Sequence, residues 1–203
     1  MQDERFQTNE VLLEGESISD FSYHHTMFGE DFYMSTMAVE RLSYVVDEIP
    51  IVVSKQFIDT RFSYIGKVVS IRGQFRSFNE HQGKRKLKLF VFVKEFAVLQ
   101  QADAKNQIFL DGYICKEVGY RKTPLGRDIA DLLMAVNRSY KRSDYIPCIC
   151  WGRTAYCAEK LEVGTNIQIW GRIQSREYVK RLSDTEIEQR IAYEVSVGRL
   201  NVM

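Results

Sequence analysis

Apolar and polar residues alternate with a period of two over residues 165–178 and 190–202, the pattern of long strands with one buried face. Shorter runs rich in branched and aromatic residues at 106–115, 128–137 and 145–151 read as three further strands. The turn formers Thr123-Pro-Leu-Gly126 separate the first two, and the polar stretch 138–144 separates the second from the third. Residues 154–161 read as a short helical segment closed by Gly164. The order is therefore strand, strand, strand, helix, strand, strand.

The first half of the chain carries the same plan. Asn9-Glu-Val-Leu-Leu-Glu-Gly15 returns as Asn106-Gln-Ile-Phe-Leu-Asp-Gly112, Met37-Ala-Val39 as Met134-Ala-Val136, and Ile49-Pro50 as Ile146-Pro147, all 97 residues apart. Val69-Ser-Ile-Arg-Gly73 returns as Ile167-Gln-Ile-Trp-Gly171 at a spacing of 98. A repeat this long means two copies of one domain, because solenoids stack three or more short units. The expected division is 1–99, a polar linker 100–105, and 106–203. The expected fold class is mainly β, with two tandem five-stranded OB-fold barrels, each with a short helix between its third and fourth strands. Before its last strand the first copy carries a basic cluster, Lys84, Arg85, Lys86 and Lys88.

Alternation also sorts the faces. On the third strand of the second copy, Tyr145, Ile149 and Trp151 share one face and Ile146, Cys148 and Cys150 the other. On the fourth, Ile167, Ile169, Gly171 and Ile173 point one way, while Trp170, Arg172, Gln174, Arg176 and Tyr178 point the other. That second row mixes aromatic and cationic groups. It suits a single nucleic-acid strand, because each base offers a π-face for stacking, worth about 1–3 kcal/mol, while guanidiniums track the phosphates. Base edges need not be read, so sequence preference should be weak. Outward aromatics on small barrels also pack under loops or at subunit contacts, and Trp170 is the one expected to do so.

Charge sharpens the choice between copies. The net charge of +1 offers no bulk attraction for a polyanion, so a nucleic-acid site must be a local patch. Residues 1–103 hold 12 Lys+Arg against 15 Asp+Glu, giving −3, and the remaining residues hold 16 against 12, giving +4. The second copy is the expected binder. Cys115, Cys148, Cys150 and Cys157 form no CxxC pair and have no His at ligand spacing, so buried thiols are expected, with neither a metal nor a disulfide. His24-His25 and His81 come with no nucleophile or phosphate-loop motif, so neither catalysis nor a cofactor is expected. No apolar run approaches the roughly 20 residues that span a bilayer. The acidic opening MQDERFQTNE is unlike a secretory signal, so a cytoplasmic, nucleoid-associated protein with no membrane contact is expected.

Four segments carry a resemblance: Leu133-Met-Ala-Val-Asn-Arg138, Tyr145-Ile-Pro-Cys-Ile-Cys-Trp-Gly152, Ala158-Glu-Lys-Leu-Glu-Val-Gly164 and Ile169-Trp-Gly-Arg-Ile-Gln-Ser-Arg-Glu-Tyr178. In combination they resemble the bacterial single-stranded DNA-binding protein family, over most of 106–203. The resemblance implies sequence-tolerant binding and protection of single-stranded DNA in replication, recombination or repair. It implies base stacking on Trp151, Tyr178, Tyr145 and Tyr140, to which the cationic rows add phosphate contacts from Arg172, Arg176, Arg138, Lys141, Arg142 and Lys180. In the first copy Glu48, Ser54 and Glu80 stand at the positions of Tyr145, Trp151 and Tyr178, leaving Arg76, Phe78 and Tyr44 as an auxiliary face. Family members assemble four barrels, so a homodimer of two-barrel chains is expected. They usually end in an acidic, Phe-terminated tail that recruits partners, whereas this sequence ends at Met203 beside its last strand, which makes tail-mediated recruitment doubtful. Two other readings stay open at this point: a primosome-type OB protein acting mainly through protein contacts, and a single-stranded RNA binder.

Overall fold

The computed structural model describes residues 8–80, 86–101, 103–139, 141–181 and 187–203. Among them the first half forms β1 (Asn9–Ser17), β2 (Ser22–Met27), β3 (Glu30–Glu40), β4 (Val46–Ser54), β5 (Val68–Glu80) and β6 (Lys86–Val98). The second half forms β7 (Asn106–Ile114), β8 (Gly119–Lys122), β9 (Asp128–Arg138), β10 (Arg142–Trp151), helix α1 (Arg153–Ala158), β11 (Asn166–Arg181) and β12 (Ile187–Val202). Mainly β architecture is thus observed. No helix among the described residues is long and apolar enough to cross a membrane.

Strand order repeats with the sequence. Strand β1 pairs antiparallel with β5 and, at its end, with β3, and β4 joins β6 by a short parallel contact at Ile51 and Val91. In the second half β7 pairs with β11 and β9, and β10 meets β12 at Cys148 and Val195. Each half therefore closes into a ring of five paired strands.

Four repeated glycines make the closure possible. A Cβ on Gly15 would enter the carbonyl oxygen of Ala38, and one on Gly112 that of Ala135, where the first strand of each half passes between its partners. Gly73 and Gly171 lie equally close to the carbonyls of Phe92 and Ser196, beside irregularities in the β5–β6 and β11–β12 ladders. Backbone occupies the place of a side chain at all four positions.

The halves join through antiparallel pairing of β1 with β7, in which Val11 faces Ile108. Those two residues are 97 positions apart, so a local two-fold axis passes between them. Side chains repeat the symmetry. Asn9 Nδ2 donates to Phe75 O at 2.7 Å, and Phe75 N–H donates to Asn9 Oδ1 at 2.9 Å. Asn106 makes the same pair of bonds with Ile173, at 2.7 and 2.8 Å. Across the halves, Ser175 N–H donates to Asp47 at 2.8 Å, and Ser77 N–H donates to Asp144 at 2.8 Å. Both aspartates are buried, and one continuous apolar cluster runs through both halves. Residues 103–105 are fastened back on β1, where Glu14 N–H donates to Lys105 O at 2.8 Å and the Glu14 carboxylate takes the Lys105 ammonium at 3.0 Å.

Several expectations need correction. Among the described residues each half carries a sixth, short strand outside its ring of five, β2 on the edge of β3 and β8 on that of β9. In the first half a single 3-10 turn, Lys55–Phe57, stands where a helix was expected, capped by Ser54 Oγ accepting from Gln56 N–H at 3.2 Å. Helix α1 stops at Ala158, short of Leu161, and Gly164 follows at φ 93°. Cys148 and Cys150 are buried, and burial pushes the Cys150 thiol up to about 12, but Cys157 is exposed. Residues 81–85, with His81, Lys84 and Arg85, lie outside the described residues, as do the side chains of Glu80 and Lys86.

Candidate nucleic-acid interface

The second-half surface is organised around the end of β10. Trp151 is the last residue of that strand, 36% exposed, and the Arg127 guanidinium from the preceding β8–β9 turn lies 6.0 Å from its ring centre. Arg172 and Arg176 reach the same place from β11. A groove of about 530 Å³ gathers Trp151, Arg127, Arg172 and Arg176 with Arg41 and Val45 of the first half. Arg172 bonds Gln174 at 3.4 Å, while its Nε is shielded from solvent without a partner. Burial, then the nearby Arg41 cation, pulls the Arg172 pKa down. Arg176 stands 3.8 Å from Glu194 with most of its side chain in solvent. The groove thus holds one indole and several cations, of which Arg172 and Arg176 lack full pairing.

Arg41 is held firmly. Its Nε and Nη2 donate to Asp47 at 2.7 and 2.5 Å, and Ser175 of β11 ties the same Asp47 to the second half. Glu48 N–H in turn donates to Ser175 Oγ at 3.0 Å.

The other site residues named from the sequence occupy two places. Tyr145 is 43% exposed, and its N–H donates to Ser77 Oγ of the first half at 2.8 Å. Arg138 lies 3.7 Å from buried Asp144, whose pKa is raised chiefly by burial. Lys141, at φ 55°, and Arg142 are exposed in the same hairpin. Tyr140 lies outside the described residues. Tyr178 and Lys180 are exposed on the outer part of β11, with Tyr178 opposite Arg190 and Lys180 opposite Glu188.

Two members of the outward rows turn out to be buried. Ile149 is 5% exposed because β10 meets β12 there, opposite Ser196. Gln174 is buried against Glu194 at 2.7 Å. Trp170 packs against Phe109 at 5.0 Å with the Arg199 guanidinium 4.9 Å from its ring, in line with its expected packing role.

The first-half face has different chemistry. The Arg76 guanidinium lies 3.8 Å from the Phe92 ring centre, and burial, helped by Arg138, pushes its pKa down to about 10. Phe78 meets Phe90 edge-on at 5.8 Å, and His24 of β2 approaches both at 6.4 Å. His24 contacts His25, His25 stacks on Phe32 at 4.9 Å, and Phe32 reaches Phe92 at 5.5 Å. Phe78 is as exposed as Trp151, so exposure alone does not separate the faces. Ring contacts do: among the described residues Tyr145, Trp151 and Tyr178 have no aromatic neighbour in contact. Tyr44 stands apart from this cluster, at the tip of the β3–β4 turn.

Sequence reasoning missed Arg41, Val45 and Arg127. Arg41 had a signal, since it stands 97 residues before Arg138. Arg127 had none beyond its place after a turn.

Residues 105–203 match the model of the single-strand binding protein family. Single-stranded DNA-binding protein B of Bacillus subtilis is 36% identical over 84 residues, covering 36% of this chain and 71% of the relative. Single-stranded DNA-binding protein 2 of Listeria innocua is 33% identical over 93 residues, and the chain spans only 58% of its length. Among solved structures, wild-type single-stranded DNA binding protein from Thermus aquaticus superposes with a TM-score of 0.78 at 19% identity, covering 96% of this chain and 92% of that one. A deletion mutant of the same protein gives 0.73. This likeness of fold extends through both halves.

Proposed function

Because this chain belongs to the single-strand binding protein family, we propose that it binds single-stranded DNA without reading its sequence, on the face formed by β10 and β11. Bases stack on Trp151, Tyr145, Tyr178 and Tyr140, while Arg172, Arg176, Arg138, Lys141, Arg142 and Lys180 meet the phosphates. The observation that carries this reading is the groove in which an indole, without aromatic neighbours among the described residues, faces incompletely paired guanidiniums. The chemistry offered is adhesion to bases and backbone, so the protein acts by covering the strand.

In this reading residues 1–99 and 106–203 are two OB-fold barrels joined by 100–105. They form a built-in dimer about the β1–β7 axis, and two chains together make a four-barrel homodimer. It serves replication, recombination or repair in the cytoplasm, on the nucleoid.

Titration of labelled oligo-dT into wild type and Trp151→Ala at two salt concentrations tests the proposal. The expected result is tight, salt-sensitive binding with tryptophan quenching, weakened in the variant by about 1–3 kcal/mol. Weak binding that is indifferent to Trp151 would overturn it.

A further inference from the structure

We propose that Arg127 is the second jaw of the stacking site, a cationic face that closes on the base lying against Trp151. This rests on the reading above and adds to it a residue of the β8–β9 turn. In both halves the same two positions face each other. Arg127 follows Gly126, and Trp151 ends β10 opposite Ile129; 97 residues earlier, Glu30 follows Gly29, and Ser54 ends β4 opposite Phe32. Gly29 and Gly126 turn the chain alike, at φ 78° and 75°. In the first half the pair is shut, because the Ser54 hydroxyl donates to the Glu30 carboxylate. In the second half the pair is an indole and a guanidinium, and it stands open.

The opening is close to the size of a base. The Arg127 guanidinium lies 6.0 Å from the Trp151 ring centre, whereas the Arg76 guanidinium rests directly on Phe92 at 3.8 Å. A base held between two faces needs about twice the ~3.4 Å spacing of stacked bases, so Arg127 has to withdraw by only about 1 Å. The turn fixes its backbone and leaves its side chain free to do so. Thr123 N–H donates to Arg127 O at 2.8 Å, Arg127 N–H donates to Thr123 Oγ1 at 3.0 Å, and Gly152 N–H donates to Asp128 O at 2.9 Å. The Arg127 side chain is exposed, and among the described residues it makes no hydrogen bond or ion pair. A guanidinium suits the place because it is flat and weakly hydrated and stacks on aromatic faces, whereas an ammonium supplies charge without a plane.

Full-length wild type, Arg127→Ala, Arg127→Lys, Trp151→Ala and the double variant Trp151→Ala with Arg127→Ala are titrated with oligo-dT. Substitution at Arg127 keeps the backbone bonds of the turn, so the fold is left alone. Arg127→Ala and Arg127→Lys are each expected to bind about fivefold more weakly than wild type. The double variant is expected to stay within about twofold of Trp151→Ala, because without the ring the jaw has nothing to close against. An Arg127→Lys protein that binds as wild type does would make Arg127 a point charge for phosphate and overturn the jaw. Losses that multiply in the double variant, or no loss from Arg127→Ala while Trp151→Ala still weakens binding, would overturn it too and leave the Trp151 site standing. If Trp151→Ala also binds normally, the underlying reading falls and this proposal with it.

Discussion

The two halves share a backbone plan and differ in what covers it. At 97- or 98-residue spacings they keep the asparagines that tie the first strand to the strand before the final hairpin turn, the aspartates that cross to the other half, and the glycines under close carbonyls. On the outer face the first half spends its rings on one another, from Phe78 through His24 to Phe92, and lays Arg76 on Phe92. The second half leaves Tyr145, Trp151 and Tyr178 without ring partners among the described residues, and sets Trp151 in a groove with Arg172 and Arg176. Backbone geometry tolerates little change at the shared positions. The outer face is free to become either packing or binding surface.

The shared latches carry the largest expected effect. Asn9→Ala and Asn106→Ala each strand a backbone N–H and C=O, on Phe75 and Ile173. Each is expected to cost about 1–3 kcal/mol in urea unfolding, and the distant pair should add. A large cost in one half and none in the other would break the symmetry. Binding sharpens the contrast next. Where Trp151→Ala costs about 1–3 kcal/mol of affinity, Phe78→Ala is expected to leave oligo-dT affinity within about 0.5 kcal/mol and instead lower stability by about 1 kcal/mol, as its contacts with Phe90 and His24 are lost. Titration and unfolding of the same variant check both.

The smallest effect concerns pH. His24 and His25 face each other through Nδ1 at 2.7 Å, and burial, then the His25 charge, holds the His24 pKa below its ordinary value. The folded protein therefore binds fewer protons than the unfolded chain just below about pH 6.5. Stability is complete above that range and falls as pH drops through it. Unfolding scans at about pH 7.5 and about pH 5 should show the loss, and His24→Gln should reduce it. No difference between wild type and variant would mean that His24 does not set this pH dependence.

Much of this was legible in the sequence, for reasons the structure makes concrete. Gly15, Gly112, Gly73 and Gly171 recur because carbonyls fill the space of a side chain, and recurring residues are visible as a repeat. Strand alternation placed Trp151, Tyr145 and Tyr178 on the outside, as found. It failed at Ile149 and Gln174, because period two says which side a residue faces and not whether another strand covers it. The short strands β2 and β8 carry no strong alternation. Arg41 belongs to the groove only through the joining of the halves, a long-range event that no local pattern records.

Single-stranded DNA is proposed to lie on the second-half face. Photocrosslinking of bromodeoxyuridine-substituted oligo-dT to the full chain, with crosslinked peptides mapped by mass spectrometry, tests it most directly. Adducts are expected at Trp151, Tyr145 and Tyr178 and none at Phe78, Phe90 or Phe92. Adducts concentrated on those three phenylalanines would contradict it.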